Sequence, residues 1–292
     1  MMTPESLVNE VNSLVSMPDI ALQINDLLQD PNSSAWDIGR LIEQDPSLSA
    51  ALLRIANSPI YNPGIAVTAI DRAVTMVGTR EVRDLAFGIC AVEAFDGISN
   101  ELITMQDFWH HCLRTAAAGR VIQSYLRGRR CPSLFVAGLL HDIGQLVMFT
   151  LCPEKSEQAL KRSMDIGHGA STFVAEREVF GFDHTEVGAV LAERWNLPAY
   201  VQHSIRWHHN PINEANREAP EADQMVGTAI HLANTIAILS EVQSIDLRDG
   251  PKLEPGVLEL LGIGEDAIET IAAESSNIVD ELMQVFVRPK AA

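Results

Sequence analysis

The chain has 292 residues, with 39 Asp and Glu against 21 Lys and Arg, for a formal charge of −18. That acidity excludes a general nucleic-acid binder, which needs clustered Lys and Arg against phosphate, and it disfavours an anionic membrane surface. An apolar fraction of 47% with only 5% aromatics describes a globular chain long enough to bury a substantial core.

The pattern is helical nearly throughout, with Pro, Gly, Asn and Asp as punctuation, so the expected fold class is all-α. Helices are expected from Pro4 to Val15 and from Met17-Pro18 through Leu28. Ser33-Ser34 can cap a helix ending near Gln44, and Asp45-Pro46 opens another running to Asn57. Ala66–Val77 and Thr79–Phe95 follow, broken at Gly78. A long helix is predicted from Thr104 to Leu126, and one opened by Pro132 should run unbroken to just before Pro153. Further helices are expected over 154–165 and 171–180, from the Asp183 cap through Trp195, and from Pro198 to Asn210-Pro211. Pro211 to Pro220 reads as a loop. Helices over Asp223–Ser240 and Glu265–Val287, joined by a Gly/Pro-broken connection, close the chain.

Cys90, Cys112, Cys131 and Cys152 form no CxxC pair, and no secretory signal is read, so they are expected to be reduced thiols of a cytosolic protein. The most apolar stretch, Leu134 to Leu151, carries His141, Asp142 and Gln145 at its middle, which marks a core segment and not a membrane span. Arg114, Arg120, Arg127, Arg129 and Arg130 form a local basic patch whose simplest reading is a solvated helix face and turn.

Chemistry concentrates in an ordered histidine series: His111, His141-Asp142, His184 and His208-His209. An unpaired buried imidazole and carboxylate would cost several kcal/mol, so a metal ion, a polar network or a bound anion must compensate the His141-Asp142 pair. Adjacent helix positions diverge by about 100°, so only one of His110 and His111 can face a site, and the Trp109-x-His111 spacing favours His111. His184 lies one residue past a helix cap, and His208-His209 sit where a helix stops; each position serves terminal hydrogen bonding as readily as ligation. His168 and His231 read as ordinary. In the helix pair around Gly78, Asp71, Glu81, Asp84 and Glu93 offset Arg72, Arg80 and Arg83, so packing is a better reading than DNA contact.

The core from Trp109 to Asn234 resembles the HD superfamily of metal-dependent phosphohydrolases. The whole chain resembles its HDOD branch through Asp45-Pro46-Ser47-Leu48, Leu53-Arg54-Ile55-Ala56-Asn57-Ser58, Gly138-Leu139-Leu140-His141-Asp142-Ile143-Gly144, Asp183-His184-x-Glu186-Val187-Gly188 and Trp195-x-Leu197-Pro198. The resemblance implies a two-lobed domain, with an N-terminal lobe (1–100) packed on an HD-like core (101–242) and a C-terminal extension (243–292). It implies a divalent transition metal (Fe, Mn, Zn or Ni) held by His111, His141, Asp142 and, weakly, Asn234, with His184, His208 and His209 extending the site. Asp142 would be the catalytic residue if the protein is active. Three positions depart from the hydrolytic pattern. Asn234 replaces the acidic fourth ligand, Gln145 stands where hydrolytic HD-GYP relatives carry Lys, and no glycine-rich segment follows His208-His209.

The resulting expectation is a cytoplasmic, bacterial-type signalling module that binds a protein partner or a small ligand through a relic HD cleft, with little or no hydrolysis. No receiver-like or kinase-like segment is read, so its input is expected from another polypeptide or a diffusible molecule. The alternative is a metal-dependent phosphodiesterase acting on a nucleotide or cyclic dinucleotide, and a third reading is a scaffold whose cleft is closed by side chains.

Overall fold

A computed structural model describes residues 2–286, apart from 12–14, 16, 30–32, 59–60, 62–63, 65, 96–102, 127–132, 167–171, 214–217, 245 and 248–250. Arg127, Arg129 and Arg130 of the basic patch, Cys131 and His168 lie outside the described residues. The described elements are helical, with no strand among them. The chain divides into two compact units, one of residues 1–14 and 97–277, the other of 15–96 and 278–292.

The smaller unit contains α2 (Asp19–Gln29), α3 (Ala35–Ile42), α4 (Pro46–Ala56), α5 (Ile70–Val77) and α6 (Thr79–Ala94). Its starts follow capping chemistry. Ser34 and Asp37 form a reciprocal capping box on α3, and the Asp45 carboxylate accepts from the Ser47 and Leu48 amides ahead of Pro46. At the end of α4, Asn57 Nδ2 donates to the Leu53 and Val67 carbonyls and its Oδ1 accepts the Val67 N–H. One amide thus ties the end of α4 to the chain entering α5. Gly78, at φ 97°, supplies the left-handed turn between α5 and α6. Residues 66–69, expected as helix, precede α5 without helical structure, since the Asn57 side chain takes up the Val67 backbone groups that a helix would have used.

The larger unit contains α1 (Pro4–Val11), α7 (Met105–Tyr125), α8 (Leu134–Leu140), α9 (Ile143–Leu151), α10 (Pro153–Ile166), α11 (Thr172–Phe180), α12 (His184–Arg194), α13 (Ala199–Trp207), α14 (Glu221–Glu241) and α15 (Val257–Leu261). Residues of α16 (Ala267–Phe286) fall in both units. Here α7 packs on α8 and α14, α13 on α14, α12 on α9 and α13, and α1 on α9 and α12. The short α15, framed by Gly256 and Gly262 in the left-handed region, escaped the sequence reading because five residues carry too little periodicity. The apolar run Leu134–Leu151 is 83% buried, as a core segment should be. Cys90, Cys112 and Cys152 are buried free thiols, and burial pushes Cys90 up to about 12.

One expectation is corrected at the centre of this unit: the helix predicted to run unbroken toward Pro153 divides into α8 and α9 at His141-Asp142. In a continuous helix the two side chains would project about 100° apart. The break, with Asp142 at φ −101°, ψ 12°, turns both toward one point and leaves His141 Nε2 3.3 Å from Asp142 Oδ2.

Glycines on either side of this break set the distance to the neighbouring helices. A Cβ on Gly138 would sit 2.8 Å from Ala116 Cα of α7, and one on Gly144 would meet the His184 carbonyl oxygen and lie 2.6 Å from Gly188 N of α12. Only hydrogen at these positions lets α7 bring His111, and α12 bring His184, up to the break. Gly144→Ala is therefore expected to destabilise the protein by about 1–3 kcal/mol through overpacking, measured by urea denaturation, and unchanged stability would contradict the close approach.

Candidate metal centre

Asp142, buried at the α8–α9 break, stands at the middle of the histidine series. Its Oδ2 lies 3.3 Å from His141 Nε2 and 3.7 Å from His111 Nε2, while its Oδ1 lies 3.2 Å from His184 Nε2 and 3.3 Å from His208 Nε2. His209 joins through a 3.1 Å approach of its Nε2 to His184 Nε2. Two ligand groups share the carboxylate, His111 and His141 on one side and His184, His208 and His209 on the other. The fold thus assembles one site from α7, the α8–α9 break, the start of α12 and the end of α13.

The four rings around Asp142 have the same orientation. Each directs Nε2 inward and places Nδ1 against an acceptor behind it: Glu241 Oε1 for His111 (2.9 Å), the Gly138 carbonyl for His141 (2.8 Å), Glu176 Oε2 for His184 (2.6 Å) and the Ile205 carbonyl for His208 (3.0 Å). An acceptor behind Nδ1 holds a proton there, and in the neutral ring this leaves the Nε2 lone pair facing the centre, the arrangement usual for metal-ligating histidine.

Within the cluster, His141 Nε2, His208 Nε2 and Asn234 Oδ1 are buried and meet no hydrogen-bond partner. With the His141 and His208 protons held on Nδ1, all three atoms are acceptors and lack a donor in the ion-free protein. A cation would satisfy them, and the residues therefore fit a divalent metal ion. The donor set is mostly imidazole with one carboxylate, which suits Zn, Fe, Ni or Mn better than the all-oxygen coordination of Ca.

The protonation states follow from burial and neighbours. Burial drives His141 down to about 4, which keeps it a neutral donor, and burial with the adjacent His208 and His184 lowers His209 well below the ordinary imidazole range. Burial opposes a charge on Asp142, but His141 and His184 outweigh it and hold the carboxyl far below its usual value. Burial likewise opposes a charge on His184, yet Glu176 and Asp142 raise it well above the usual range. Without a metal, an imidazolium at His184 therefore bridges two carboxylates. Binding a metal there must release that proton.

All seven residues singled out from the sequence lie in this region, although Asn234 reaches it only beside His111. His184 and His208 combine the two roles weighed for them: each lies at a helix terminus, and each directs Nε2 inward. His110 faces away and accepts from Arg114 Nε at 3.0 Å. His231 stays outside the ligand groups, as expected, but its Nδ1 donates to the His208 carbonyl (2.6 Å) and its Nε2 accepts the Glu254 N–H (3.1 Å), fixing the backbone beneath the His pair. Gln145, noted only as a missing Lys, donates from Nε2 to Asp142 Oδ2 at 3.2 Å. The sequence reading missed Glu176 and Glu241 altogether. Neither belongs to a motif: Glu176 is a buried acid, 2% exposed, on the half-exposed α11, and Glu241 is an exposed residue closing α14.

A cleft of about 260 Å³, lined by Arg177, Thr185, Glu186, Arg206, Trp207, His209, Asn210 and Asn213, reaches the cluster from the surface at His209. The His209 ring stacks on Phe173 at 4.5 Å.

Comparison with known proteins places the chain in a family. It is 28% identical over 211 residues to an uncharacterized protein of Treponema pallidum (strain Nichols), a match covering 70% of this chain and 39% of that one, so the chain spans about two-fifths of that relative's length. Its structure resembles an HDOD domain protein of unknown function from Geobacter sulfurreducens (25% identity, TM-score 0.73, 97% of this chain and 98% of that one). It also resembles a protein from Marinobacter aquaeolei VT8 provisionally named for signal transduction (25% identity, TM-score 0.71, 94% of this chain and 59% of that one). The HDOD domain model matches residues 14–211, more than half the chain, and the protein belongs to the HDOD domain family.

Proposed function

We propose that this protein is a regulatory module, in which the buried His/Asp centre holds a divalent transition metal and the cleft at His209 receives a partner side chain or a small ligand. The observation that carries the metal part is the common orientation of His111, His141, His184 and His208, each with Nδ1 against an outer acceptor and Nε2 toward Asp142. The signalling role draws on the provisional name of the Marinobacter relative. Input from another polypeptide or a diffusible molecule belongs to the same proposal.

Efficient hydrolysis fits the residues less well. Among the described residues, Asp142 is the only carboxylate of the inward-facing donors, Asn234 is neutral, and Gln145 draws on one Asp142 oxygen without contributing a cation for phosphate. Three of the inward donors, His141, His184 and His208, are fully buried. The cleft of about 260 Å³ is smaller than the ~300–1,000 Å³ of pockets that enclose drug-sized ligands, and a cyclic dinucleotide needs more room still.

A second reading, a metal-dependent phosphodiesterase, is favoured by one feature: two ligand groups share Asp142, the form a two-metal site takes. A bound ion would supply Lewis acidity and lower the pKa of coordinated water. The chain's own contribution would be to hold that site dry and to fix the ligand tautomers through Glu176, Glu241 and two backbone carbonyls.

Metal analysis of untagged protein reconstituted with Fe, Mn, Ni or Zn, alongside an assay with a chromogenic phosphodiester, separates these readings. Stoichiometric metal that is lost in Asp142→Ala, with no metal-dependent turnover, is the expected result. Failure to take up any metal would overturn the metal centre, and robust turnover abolished by Asp142→Ala would establish the phosphodiesterase. The ion-free protein offers a separate check. Glu176 accepts both the backbone N–H and Nδ1–H of His184, so Glu176→Ala should cost about 3–5 kcal/mol in chemical denaturation, with Glu176→Gln costing less. A negligible loss would show that His184 needs no counter-charge.

A further inference from the structure

We infer that Glu241 is a positioning residue that makes good, through His111, the negative charge missing at Asn234. This inference rests on the metal centre proposed above and concerns how this chain retains one with a neutral residue at position 234.

The two residues lie seven positions apart on α14, which returns them to the same face within about 20°. His111, on α7, lies against both: its Nδ1 is 2.9 Å from Glu241 Oε1, and the Asn234 amide interacts with the same ring. Its Nε2 faces Asp142 Oδ2 at 3.7 Å. A full negative charge therefore sits one imidazole away from the centre, on the helix that would have supplied an acidic ligand. A carboxylate accepting Nδ1–H fixes the tautomer and makes Nε2 a stronger donor to a metal. The backbone carbonyls behind His141 and His208 fix a tautomer but add no charge. Glu176 plays the carboxylate part for His184, on the other side of Asp142.

The groups facing Glu241 favour this role. His111 Nδ1 lies 2.9 Å from the Glu241 carboxylate, whose side chain is 38% exposed, and the cationic Arg114 is near it. Arg114 Nε donates to His110, which leaves the 2.9 Å contact with His111 as the short hydrogen bond made by Glu241 among the described residues. A purely structural tie between α7 and α14 would not need a charge there. A charge-restoring role does, and it predicts that an acid placed at 234 makes Glu241 dispensable.

The test is zinc affinity by competition with a chromophoric chelator, measured on the full chain for wild type, Glu241→Gln, Glu241→Ala and the double variant Asn234→Asp/Glu241→Ala. Circular dichroism and urea denaturation of each ion-free protein establish that it is folded. Glu241→Ala is expected to weaken zinc about 10–100-fold. Glu241→Gln, which keeps an acceptor oxygen but loses the charge, should fall between it and wild type, and the double variant should recover most of the lost affinity. Nitrogen-15 spectra of the imidazoles should show His111 protonated at Nδ1 in wild type and a mixture of tautomers in Glu241→Ala. Wild-type affinity in Glu241→Ala, or a loss that Asn234→Asp fails to restore, overturns the inference while leaving the metal centre standing. Absence of zinc binding in folded wild type overturns both.

Discussion

A carboxylate buried at a break between two helices governs the larger unit of this protein. Asp142 is 5% exposed, and a lone ionised carboxyl there would be intolerable without partners. Around it the chain has gathered four imidazoles, each turned inward by an acceptor behind it. The unusual local features serve that gathering. The α8–α9 break turns His141 and Asp142 to one side, Gly138 and Gly144 let α7 and α12 come close, and His231 holds the backbone that ends α13.

The site balances charge in two ways. In the ion-free protein an imidazolium at His184 lies between Asp142 and Glu176 and neutralises part of the acid. That leaves the lone pairs of His141, His208 and Asn234 without donors. A divalent ion would satisfy those lone pairs and displace the proton. In the proposed metal-bound form, uptake would be coupled to release of the His184 proton and to the packing of α7, α12 and α13, a coupling that suits the regulatory role proposed. Glu176 and Glu241 supply negative charge from behind the histidines, so the absence of an inner acid at 234 need not empty the site.

Much of this was legible in the sequence because it is written in local chemistry. The caps at Ser34, Asp45, Thr104 and Asp183 place the starts of α3, α4, α7 and α12, and the histidine series named the residues that converge. What stayed hidden depends on three-dimensional proximity. The break at His141-Asp142 lies inside an apolar run with no Pro, so no local punctuation marks it. Glu176 and Glu241 fit no motif, since an outer acceptor needs only to reach a ring nitrogen and leaves no fixed spacing. His231 looked ordinary because its partners are backbone groups of His208 and Glu254, 23 residues away on either side.

The central claim, that Asp142 and the inward imidazoles form a metal centre, is tested most directly by X-ray absorption at the zinc edge on reconstituted protein. The account predicts a first shell of nitrogen and oxygen at about 2.0–2.1 Å, with the outer-shell scattering of several imidazoles and a clear loss of that scattering in His141→Ala. A shell without imidazole scattering, or one indifferent to His141, would contradict it.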